Sequence, residues 1–486
     1  MKNKYSIITL ATLVMLSHFP AFAADEADIQ KAIDYVKKHE KDGSVKTNGL
    51  GIISADGESS INLTGMVHFD AHAFNSNLPK TTDKDSASTA NQFEFRRVRL
   101  GVNGAMFKDI DYEVIVNATG TDTNILDTGF LNFSANKDAQ IRVGRFRQPY
   151  SLEAMTKDAS IDFLERTYGD QNGPNKLLGA MVWGEPRKGF TYGAAIAQAG
   201  FNEITNSNNI GALGTGRVTL NFGELNHLDG QVVHFGLSTN VGKYQITPTT
   251  SLDTGTTADP ISRATLLTYR TESRGLSNAY RVQLTGETIN TGYTYGSAAN
   301  DAADVKKQLN DLEFAYANGP FKYQSEVAKL TLNGSSLIST TATTYYTVDI
   351  ESTTLYQVFI YNLTGEKWSD AYKAGAFTGI KPLSNYQFGK GGAGAWQLAL
   401  RYSSYTGNYV GASGTNKSIT SGGRAGNAEG ANTITYGVNW LLNPNTAIKM
   451  NYAVTKFDRD VGILSSAAST KASTENAFSI RAQINF

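Results

Sequence analysis

Apolar and polar residues alternate along most of this chain with a period of two. In the C-terminal segment 476–486, every second residue from Phe478 to Phe486 is apolar, and polar side chains stand between them. Residues 396–403 and 433–442 repeat this scheme. Successive side chains of a strand point to opposite faces, so the alternation predicts strands with one apolar and one polar face. Further stretches of the same pattern occur at residues 61–71, 114–118, 190–196, 218–222, 233–237, 280–284, 312–316 and 448–454.

The connections between these strands are of two kinds. Short turns occur at Asn443–Asn445 and Lys108–Asp109, whereas other connections are long and rich in Ser, Thr, Gly, Asn and Asp. Strands of about 10 residues with aromatic ends, joined alternately by short turns and long loops, are typical of outer-membrane barrels. A soluble β-sandwich also alternates, but its strands are shorter and lack regular aromatic ends. The long connections are 74–91, 147–177, 243–262 and 407–430.

These patterns predict an all-β fold, a transmembrane antiparallel β-barrel of about 16 strands that is wide enough to hold water. The strand number is open between about 16 and 18, because Thr354–Thr364 has apolar residues at both parities. The 47 glycines, 24 tyrosines and 23 phenylalanines, with only 10 prolines, suit many strands joined by turns. No stretch is apolar for long enough to form a transmembrane helix.

The first residues have the features of a secretory signal peptide. Lys2 and Lys4 precede an apolar run from Ile7 to Leu16, and Ala21–Ala23 forms a small-x-small cleavage site. We therefore expect cleavage of this peptide and export to the outer membrane of a Gram-negative bacterium. The expected organisation is a signal peptide over 1–23, a periplasmic N-terminal segment over 24–58 and the barrel over 59–486.

The stretch Asp25–Asp42 within the N-terminal segment has a helical pattern. Two heptads are too short to be stable alone, so two interpretations stay open. The stretch forms a short helix that packs with its copies in a trimer, or it is a solvated tether. The apolar stripe consists of Ile29, Ala32, Ile33 and Val36.

Composition excludes several functional classes. The chain has 44 basic and 44 acidic residues, a balance that argues against binding to nucleic acid. It has no cysteine and therefore no disulfide, and no motif indicates a cofactor. His68, Asp70 and His72 share the lumen-facing parity of one strand, but residues four apart lie about 13 Å apart, so both histidines cannot bind one metal. We expect polar lining of the lumen there, and no metal site.

The segment FEFRRVRLGV (93–102) contains three arginines in an otherwise apolar strand. In a regular strand, one register would turn Arg97 and Arg99 towards lipid, where each arginine costs roughly 2–4 kcal/mol. One extra residue at Arg96–Arg97, a β-bulge, would remove this conflict. Phe93, Phe95, Val98, Leu100 and Val102 would then face lipid. In the alternative, 93–97 lies in the rim above the membrane; in both cases the arginines face water.

Five blocks of the sequence stand out together: FEFRRVRLGVNG, VGRFRQPYSLE with FLER following, LTGEKWSDAYKAGAFTGIKP, GAWQLALRYS and ITYGVNWLLNPNTAIKMNYA. Together they resemble the phosphate-selective porins O and P, and their order and spacing match from about residue 45 to the C-terminus. This resemblance implies a 16-stranded trimeric outer-membrane porin. It assigns to Arg96 and Arg97 a place in a ladder of arginines along the pore, and to Phe486 the role of assembly signal.

The chain departs from the pattern of the family at three positions. The resemblance implies a lysine where Ala154 stands, a second lysine where Asp111 stands, and an arginine where Met66 stands. An aspartate of the family is retained as Asp127. The ladder is thus partly kept, while the lysines that would hold phosphate are missing.

Charges along the segment expected to fold inward are balanced. Between Arg145 and Lys176 five cations face five carboxylates, whereas a selective anion pore needs unpaired positive charge at its narrowest point. The sequence therefore predicts at most a mild anion preference. The expected pore-lining residues are Arg96, Arg97, Arg99, Asp127, Arg145 and Arg147, and the candidates on the constriction loop are Glu153, Lys157 and Arg166.

The favoured function is a trimeric water-filled channel for passive diffusion of small hydrophilic or anionic solutes, with membrane lipid and its own copies as partners. A structural or adhesive barrel is the first alternative. An outer-membrane enzyme is the second, and it would need a nucleophile, a base and an orienting group that converge. The chain has six histidines, one of them in the signal peptide, and no motif proposes such a set.

Overall fold

The structure is a computed structural model. The predicted signal peptide lies outside the described residues, and so does the predicted helix Asp25–Asp42, apart from Gln30 and Asp34, which are helical. The remaining described ranges are 45–48, 50–75, 91–119, 125–199, 211–246, 264–276, 279–284, 303–337, 345–409, 428–462 and 471–486.

Sixteen antiparallel strands form the barrel, and they are numbered in chain order. They are β1 Ser60–Asn75, β2 Gln92–Met106, β3 Ile110–Asn117, β4 Leu126–Phe133, β5 Gln140–Arg147, β6 Lys176–Arg187, β7 Phe190–Ala199, β8 Gly211–Asn221, β9 Gln231–Ile246, β10 Ala303–Asn318, β11 Phe321–Leu337, β12 Tyr345–Asn362, β13 Ala395–Tyr409, β14 Gly430–Asn443, β15 Thr446–Gly462 and β16 Lys471–Asn485.

Each strand pairs with the next along the chain, and β16 pairs with β1, where Arg481 lies opposite Asp70 and Ile484 opposite Val67. The sheet is thus closed, and the prediction of an antiparallel barrel of about 16 strands is confirmed. A short hairpin of Val45–Asn48 and Gly51–Ser54 extends this sheet, because its second strand pairs with the first residues of β1. No helix among the described residues is both long and apolar enough to cross a membrane.

The two faces of the strands differ as the alternation predicts. On β16, Phe478 and Ile484 are exposed on the outer face, whereas Ser479, Arg481 and Gln483 are buried inside. Lipid offers no hydrogen bonds, so polar side chains collect on the inner face and apolar ones on the outer face. The lumen is therefore lined by polar and charged groups.

The bulge predicted in β2 is present. His68 of β1 lies opposite Arg97 and Phe69 lies opposite Phe95, so that Arg96 is the extra residue. Phe93 and Phe95 are consequently exposed on the outer face, while Arg96 reaches a carboxylate inside the barrel. The bulge therefore keeps Arg96 on the inner side of the wall, as predicted.

The constriction loop, which we define as residues 148–175, folds into the lumen. Parts of two further connections, at opposite ends of the barrel, also fold inward. Between β9 and β10, the strands Ala264–Tyr269 and Tyr280–Leu284 form a separate hairpin, so the alternation at 280–284 marks a strand that lies outside the barrel sheet. At the end of the barrel with the short turns, residues 363–394 join β12 to β13 and carry a 3₁₀ turn at Trp368–Ala371.

The inner face of β12 explains its ambiguous pattern. Tyr356, Val358 and Ile360 point inwards and pack against Trp368 and Phe377 of the inward segment. Because both faces of β12 are covered, one by lipid and one by protein, both faces are apolar. The sequence of a single strand does not show which connection will cover its inner face.

The ion pair between Arg481 and Asp70 closes the barrel on its inner side. Nε and Nη2 of Arg481 donate to the two oxygens of Asp70 at 2.7 and 2.6 Å, and both side chains are fully buried. Breaking a buried pair by removing one partner leaves an uncompensated charge and costs about 3 kcal/mol or more.

We expect Asp70→Asn to lower the free energy of unfolding by about 3 kcal/mol, measured by urea unfolding of the reconstituted barrel and by the temperature at which its folded band disappears in gels. The matched control is Glu351→Gln, which breaks an exposed pair with Lys329 and should cost at most about 1 kcal/mol. Equal losses in the two variants would contradict this account.

Candidate functional site

The constriction loop folds into the barrel because the wall satisfies its backbone. Five carbonyl oxygens between Ala159 and Glu165 accept hydrogen bonds from wall side chains at 2.5–3.0 Å. Buried carbonyls without partners would cost free energy, so these donors stabilise the inward position of the loop. The donors are Arg401, Asn439, Lys449, Arg481 and Gln483.

The beginning of the loop is held by strand β11, several strands away from β5, after which the loop begins. Glu326 of β11 accepts from the backbone amides of Leu152 and Glu153 at 3.0 and 2.8 Å, at the first turn of the short helix α1 (Leu152–Met155). Ser151 caps the same turn through the amide of Ala154. The loop therefore spans the lumen from one wall to the other.

A cavity of about 480 Å³ remains between the constriction loop and strands β2 to β6. Eight cationic side chains and five carboxylates line it, an excess of three positive charges. The cations are Arg96, Arg97, Arg99, Arg145, Arg147, Arg166, Lys176 and Arg270, and the carboxylates are Asp127, Asp158, Glu165, Asp170 and Glu272.

Asp158 of the loop lies among four guanidinium groups. Arg97 approaches it at 3.4 Å and Arg147 at 3.7 Å, and Arg99 and Arg166 make still closer ion pairs. Burial alone raises the pKa of the Asp158 carboxyl, but these arginines outweigh it and hold the pKa well below its usual range. One carboxylate thus serves four cations, of which Arg99 also pairs with Asp127 at 3.0 Å and Arg147 with Asp170 at 3.7 Å.

Glu165 fixes the bulged arginine. Nε and Nη2 of Arg96 donate to its two oxygens at 2.7 and 3.0 Å, and Arg481 approaches it at 3.1 Å. Burial raises the pKa of the Glu165 carboxyl, but the arginines, Arg96 first, reverse this effect and hold the pKa well below its usual range. A bidentate charge-assisted pair of this kind also fixes orientation. The bulge in β2 is therefore part of the constriction.

The hairpin between β9 and β10 contributes Arg270 to the cavity. Its backbone is joined to the constriction loop, because its amide donates to Gln171 at 3.0 Å and its carbonyl accepts from Gln171 at 3.1 Å. Its guanidinium makes no ion pair or hydrogen bond with the part of the chain that the structure describes. Burial first, and then Arg274, hold the pKa of Arg270 below its usual range.

Most of the residues singled out in the sequence lie in this cavity, and two do not. Glu153 is a residue of the loop that does not line the cavity, and it accepts hydrogen bonds from the amide and hydroxyl of Thr167. Lys157 is exposed on the loop. Sequence reasoning missed Arg270 and Glu272. The only signal for them was the charged stretch RTESR (270–274) between Tyr269 and Tyr280. The predicted residues that line the cavity are Arg96, Arg97, Arg99, Asp127, Arg145, Arg147 and Arg166.

The positions of the missing lysines lie outside the cavity. Ala154 is 2% exposed and belongs to an apolar cluster with Tyr150 and Tyr168. Asp111 on β3 accepts from Asn132 at 3.1 Å, and Met66 does not line the cavity either. A lysine at position 154 would not reach the cavity without a change in the packing of that cluster.

Two groups of side chains have the composition of metal ligands. His72 lies 3.4 Å from Glu94 and 3.8 Å from Asp70, and a second group lies between β10 and β11. Arginines already pair with carboxylates of both groups, namely Arg481 and Arg274 in the first. These positive neighbours oppose a bound cation. The second group is Asp311, Glu313 and Glu326, with Arg217 on Glu313.

A closed barrel with a charged lumen that an inward loop narrows defines a β-barrel channel of the porin class. Within this class, residues 61–486 match the family described as phosphate-selective porin O and P, and the chain belongs to that family. It is an outer-membrane porin channel. No curated protein sequence matches the chain.

Solved outer-membrane proteins resemble the chain at low identity. The channel DcaP of Acinetobacter baumannii is 8% identical, with 88% of this chain and 97% of that chain covered and a TM-score of 0.49. A trimer form of OmpT of Vibrio cholerae is 12% identical, with 88% and 99% covered and a TM-score of 0.47. OmpF of Salmonella typhi, in complex with daunomycin, is 14% identical, with 88% and 98% covered and a TM-score of 0.44.

The two glutamates of the constriction loop differ in charge. Burial raises the pKa of Glu153 to about 8, so this carboxyl is neutral at pH 7 and gains its negative charge as the pH rises through about 8. Glu165 is ionised at pH 7 and lines the cavity. A unit charge about 10 Å from an ion in water changes its energy by about 0.4 kcal/mol, or about twofold in local concentration.

We therefore expect Glu165→Gln to raise the chloride-to-potassium permeability ratio about fourfold at pH 7, because local chloride rises and local potassium falls by about twofold each. We expect Glu153→Gln to leave the ratio unchanged. At pH 9 only the unaltered protein gains the Glu153 charge, so a difference from Glu153→Gln should appear there. Reversal potentials in a potassium chloride gradient measure both effects. A clear shift with Glu153→Gln at pH 7 would show that this carboxyl is charged.

Proposed function

We propose that the porin is a homotrimer that lets small hydrophilic solutes diffuse passively and that prefers anions mildly. The observation that carries the preference is the excess of three positive charges around the cavity. A count along 145–176 alone gives five against five. The excess arises because Arg96, Arg97 and Arg99 of β2 and Arg270 of the hairpin join the same space.

The unpaired cation matters most for selectivity. A guanidinium in a close ion pair contributes little net field, whereas an unpaired one in a narrow, partly desolvated pore attracts anions. Arg270 is the lining cation whose guanidinium has no partner within the described ranges. Burial and Arg274 lower the pKa of Arg270 by more than the carboxylates of Glu165 and Asp170 raise it, so its positive charge is only partly compensated. An anion passing this point would supply the missing negative charge.

The preference is mild because most lining cations already have partners. Asp158, Asp127 and Glu165 occupy the guanidinium groups that phosphate would otherwise contact. A tight phosphate site needs several free charge-assisted hydrogen bonds. The lysines that the family resemblance implies are absent, and Ala154 faces an apolar cluster instead.

Transport without catalysis fits the lining. Among the described residues, the cavity lining contains no histidine and no serine, and its threonine, Thr167, donates its hydroxyl to Glu153 within the loop. Export by cleavage of residues 1–23, a periplasmic segment over 24–58 and an assembly role for Phe486 belong to the same proposal. Phe486 supports it through its exchange of backbone hydrogen bonds with Gly65 at 2.8 and 3.0 Å, which seats the C-terminus in the sheet.

The purified protein should form stable ion channels in planar bilayers and migrate in gels as a trimer that heating dissociates. Stepwise conductance and cross-linking measure the two properties separately. A protein that inserts as a folded barrel but never conducts would favour the structural or adhesive alternative.

Arg270→Gln should lower the chloride-to-potassium permeability ratio about fourfold, by the same estimate of one unit charge near the ion path, which acts about twofold and in opposite directions on the two ions. Arg270→Lys keeps the charge and should retain most of the preference. Arg274 of the same turn pairs with Glu94 at 3.2 Å and does not line the cavity, so Arg274→Gln should have a smaller effect. Equal effects of the two glutamine variants would show that only total lumen charge matters.

Phosphate should reduce the chloride current only at millimolar concentrations or above, because few lining donors are free. Titration of phosphate in single-channel recordings measures this block. Ala154→Lys should not strengthen it and should lower the heat stability of the barrel, since the side chain at 154 lies in a packed cluster. Block by micromolar phosphate in the unaltered protein would mean that the arginines themselves form a tight site.

A further inference from the structure

The long connection at the short-turn end of the barrel consists of two parts with different surroundings. Its first part, around Trp368–Phe377, is buried inside the lumen. Its second part, residues 381–394, leaves the lumen and carries exposed apolar side chains. Phe388 is 87% exposed and Leu383 is 75% exposed. We define residues 381–394 as the rim segment.

The rim segment lies against the outer face of the barrel. Trp396 and Trp440 stack on that face with ring centroids 5.1 Å apart, and the indole nitrogens of both donate to the carbonyl of Ala393 at 3.1 and 2.9 Å. Tyr386 packs on Trp440 at 4.9 Å and Phe388 packs on Tyr386 at 5.4 Å. A row of aromatic rings thus leads from the barrel wall to the exposed Phe388.

This row lies at the end of the barrel that carries the short turns. Trp396 and Trp440 share the outer face of β13 and β14 with Leu398 and Tyr436, which are exposed on the lipid side. They lie at the strand ends next to the short turns, where outer-membrane barrels have an aromatic girdle at the periplasmic boundary. Phe388 lies at the outer end of this row of rings, next to Tyr386.

The geometry of the rim segment holds Phe388 outward. The amide of Gln387 donates to the carbonyl of Gly391 at 2.9 Å, and the amide of Gly391 donates back at 3.1 Å, which closes a tight turn with Phe388 on it. Tyr386 joins this turn to the wall through a hydrogen bond of its amide to Leu442 at 2.7 Å. The exposed ring is therefore presented by a fixed turn.

The charge of the rim segment has one sign. Lys381 and Lys390 are exposed, and residues 378–394 contain no acidic side chain. Neither lysine makes an ion pair with the portion of the chain that the structure describes. Apolar rings flanked by lysines at a membrane boundary suit lipids with anionic headgroups, because the rings enter the acyl boundary and the lysines meet phosphate.

We propose that the rim segment binds anionic phospholipid in the periplasmic leaflet, with Phe388 and Leu383 in the acyl boundary and Lys381 and Lys390 at the headgroup phosphates. The inference rests on the outer-membrane location of the porin, and it is independent of ion selectivity. It gives the long connection a second role outside the pore.

The test uses the absence of cysteine from the chain. The full-length Phe388→Cys variant is labelled with bimane and reconstituted in vesicles of phosphatidylcholine with either spin-labelled phosphatidylglycerol or spin-labelled phosphatidylcholine. Quenching by the two lipids gives their relative binding at the rim segment. Phe235→Cys, on the outer face of β9 near the same end of the barrel, is the matched control label.

We expect lipid to quench the bimane label at position 388, and phosphatidylglycerol to quench it more strongly than phosphatidylcholine. The label at position 235 should show little difference between the two lipids. Lys381→Gln with Lys390→Gln should lower the preference at 388 about tenfold, since each lysine near an anionic surface contributes to attraction. Quenching by aqueous iodide instead of lipid would overturn the proposal. Equal quenching by the two phospholipids would also overturn it. So would a label that neither lipid nor iodide quenches until the trimer dissociates, because the ring would then lie between protomers. Conductance of the same variants separates these results from a failure of the porin itself.

Discussion

The ion-pair network that joins Arg481 to Asp70 and Glu165 is the interaction on which the pore depends. Arg481 is fully buried on β16, it pairs with Asp70 of β1 across the closure of the barrel, and it donates to the carbonyl of Leu164 in the constriction loop. One side chain therefore fixes both the closure and the loop. Glu165, held from the same side, orients Arg96 at the bulge. A buried charge without partners is costly. The partners of Arg481 belong to β1 and to the constriction loop, so its burial depends on both.

The same requirement determines the electrostatics of the channel. Wall cations hold the constriction loop inside the barrel, so the loop must bring carboxylates with it, and Asp158 and Glu165 are these carboxylates. They neutralise most of the arginines that would otherwise attract anions. The same arginines thus anchor the loop and determine the ion selectivity. When more ion pairs hold the loop, fewer unpaired cations remain to attract anions. The net positive charge of the pore is small because carboxylates of the loop neutralise most of the arginines.

Features that repeat from residue to residue along a strand can be predicted from the sequence. Features that depend on one contact between distant parts of the chain cannot. The alternation of side chains reveals the strands because every residue of a strand faces either lipid or lumen. The bulge at Arg96 was also predictable, since an arginine in lipid costs more than a local irregularity. Nothing local indicates that Arg270 enters the cavity, that residues 363–377 fill the lumen beside β12, or that Ala154 turns away from the pore. These follow from which connection reaches which wall, and polar connections look alike whether they fold inward or remain outside.

The inward connections also explain why so wide a barrel has so small a cavity. Tyr168 of the constriction loop, Tyr269 of the hairpin and Tyr405 of β13 pack edge to face or stacked, with centroids 4.4 to 6.0 Å apart. On another side of the lumen, Trp368 and Phe377 lie over the ammonium of Lys322, which also pairs with Asp162 of the loop at 2.8 Å. These contacts fill part of the lumen with a packed interior like that of a soluble protein. The described open space is thereby displaced to the arginine-lined side, and ions that pass through it come close to the few charges that remain unpaired.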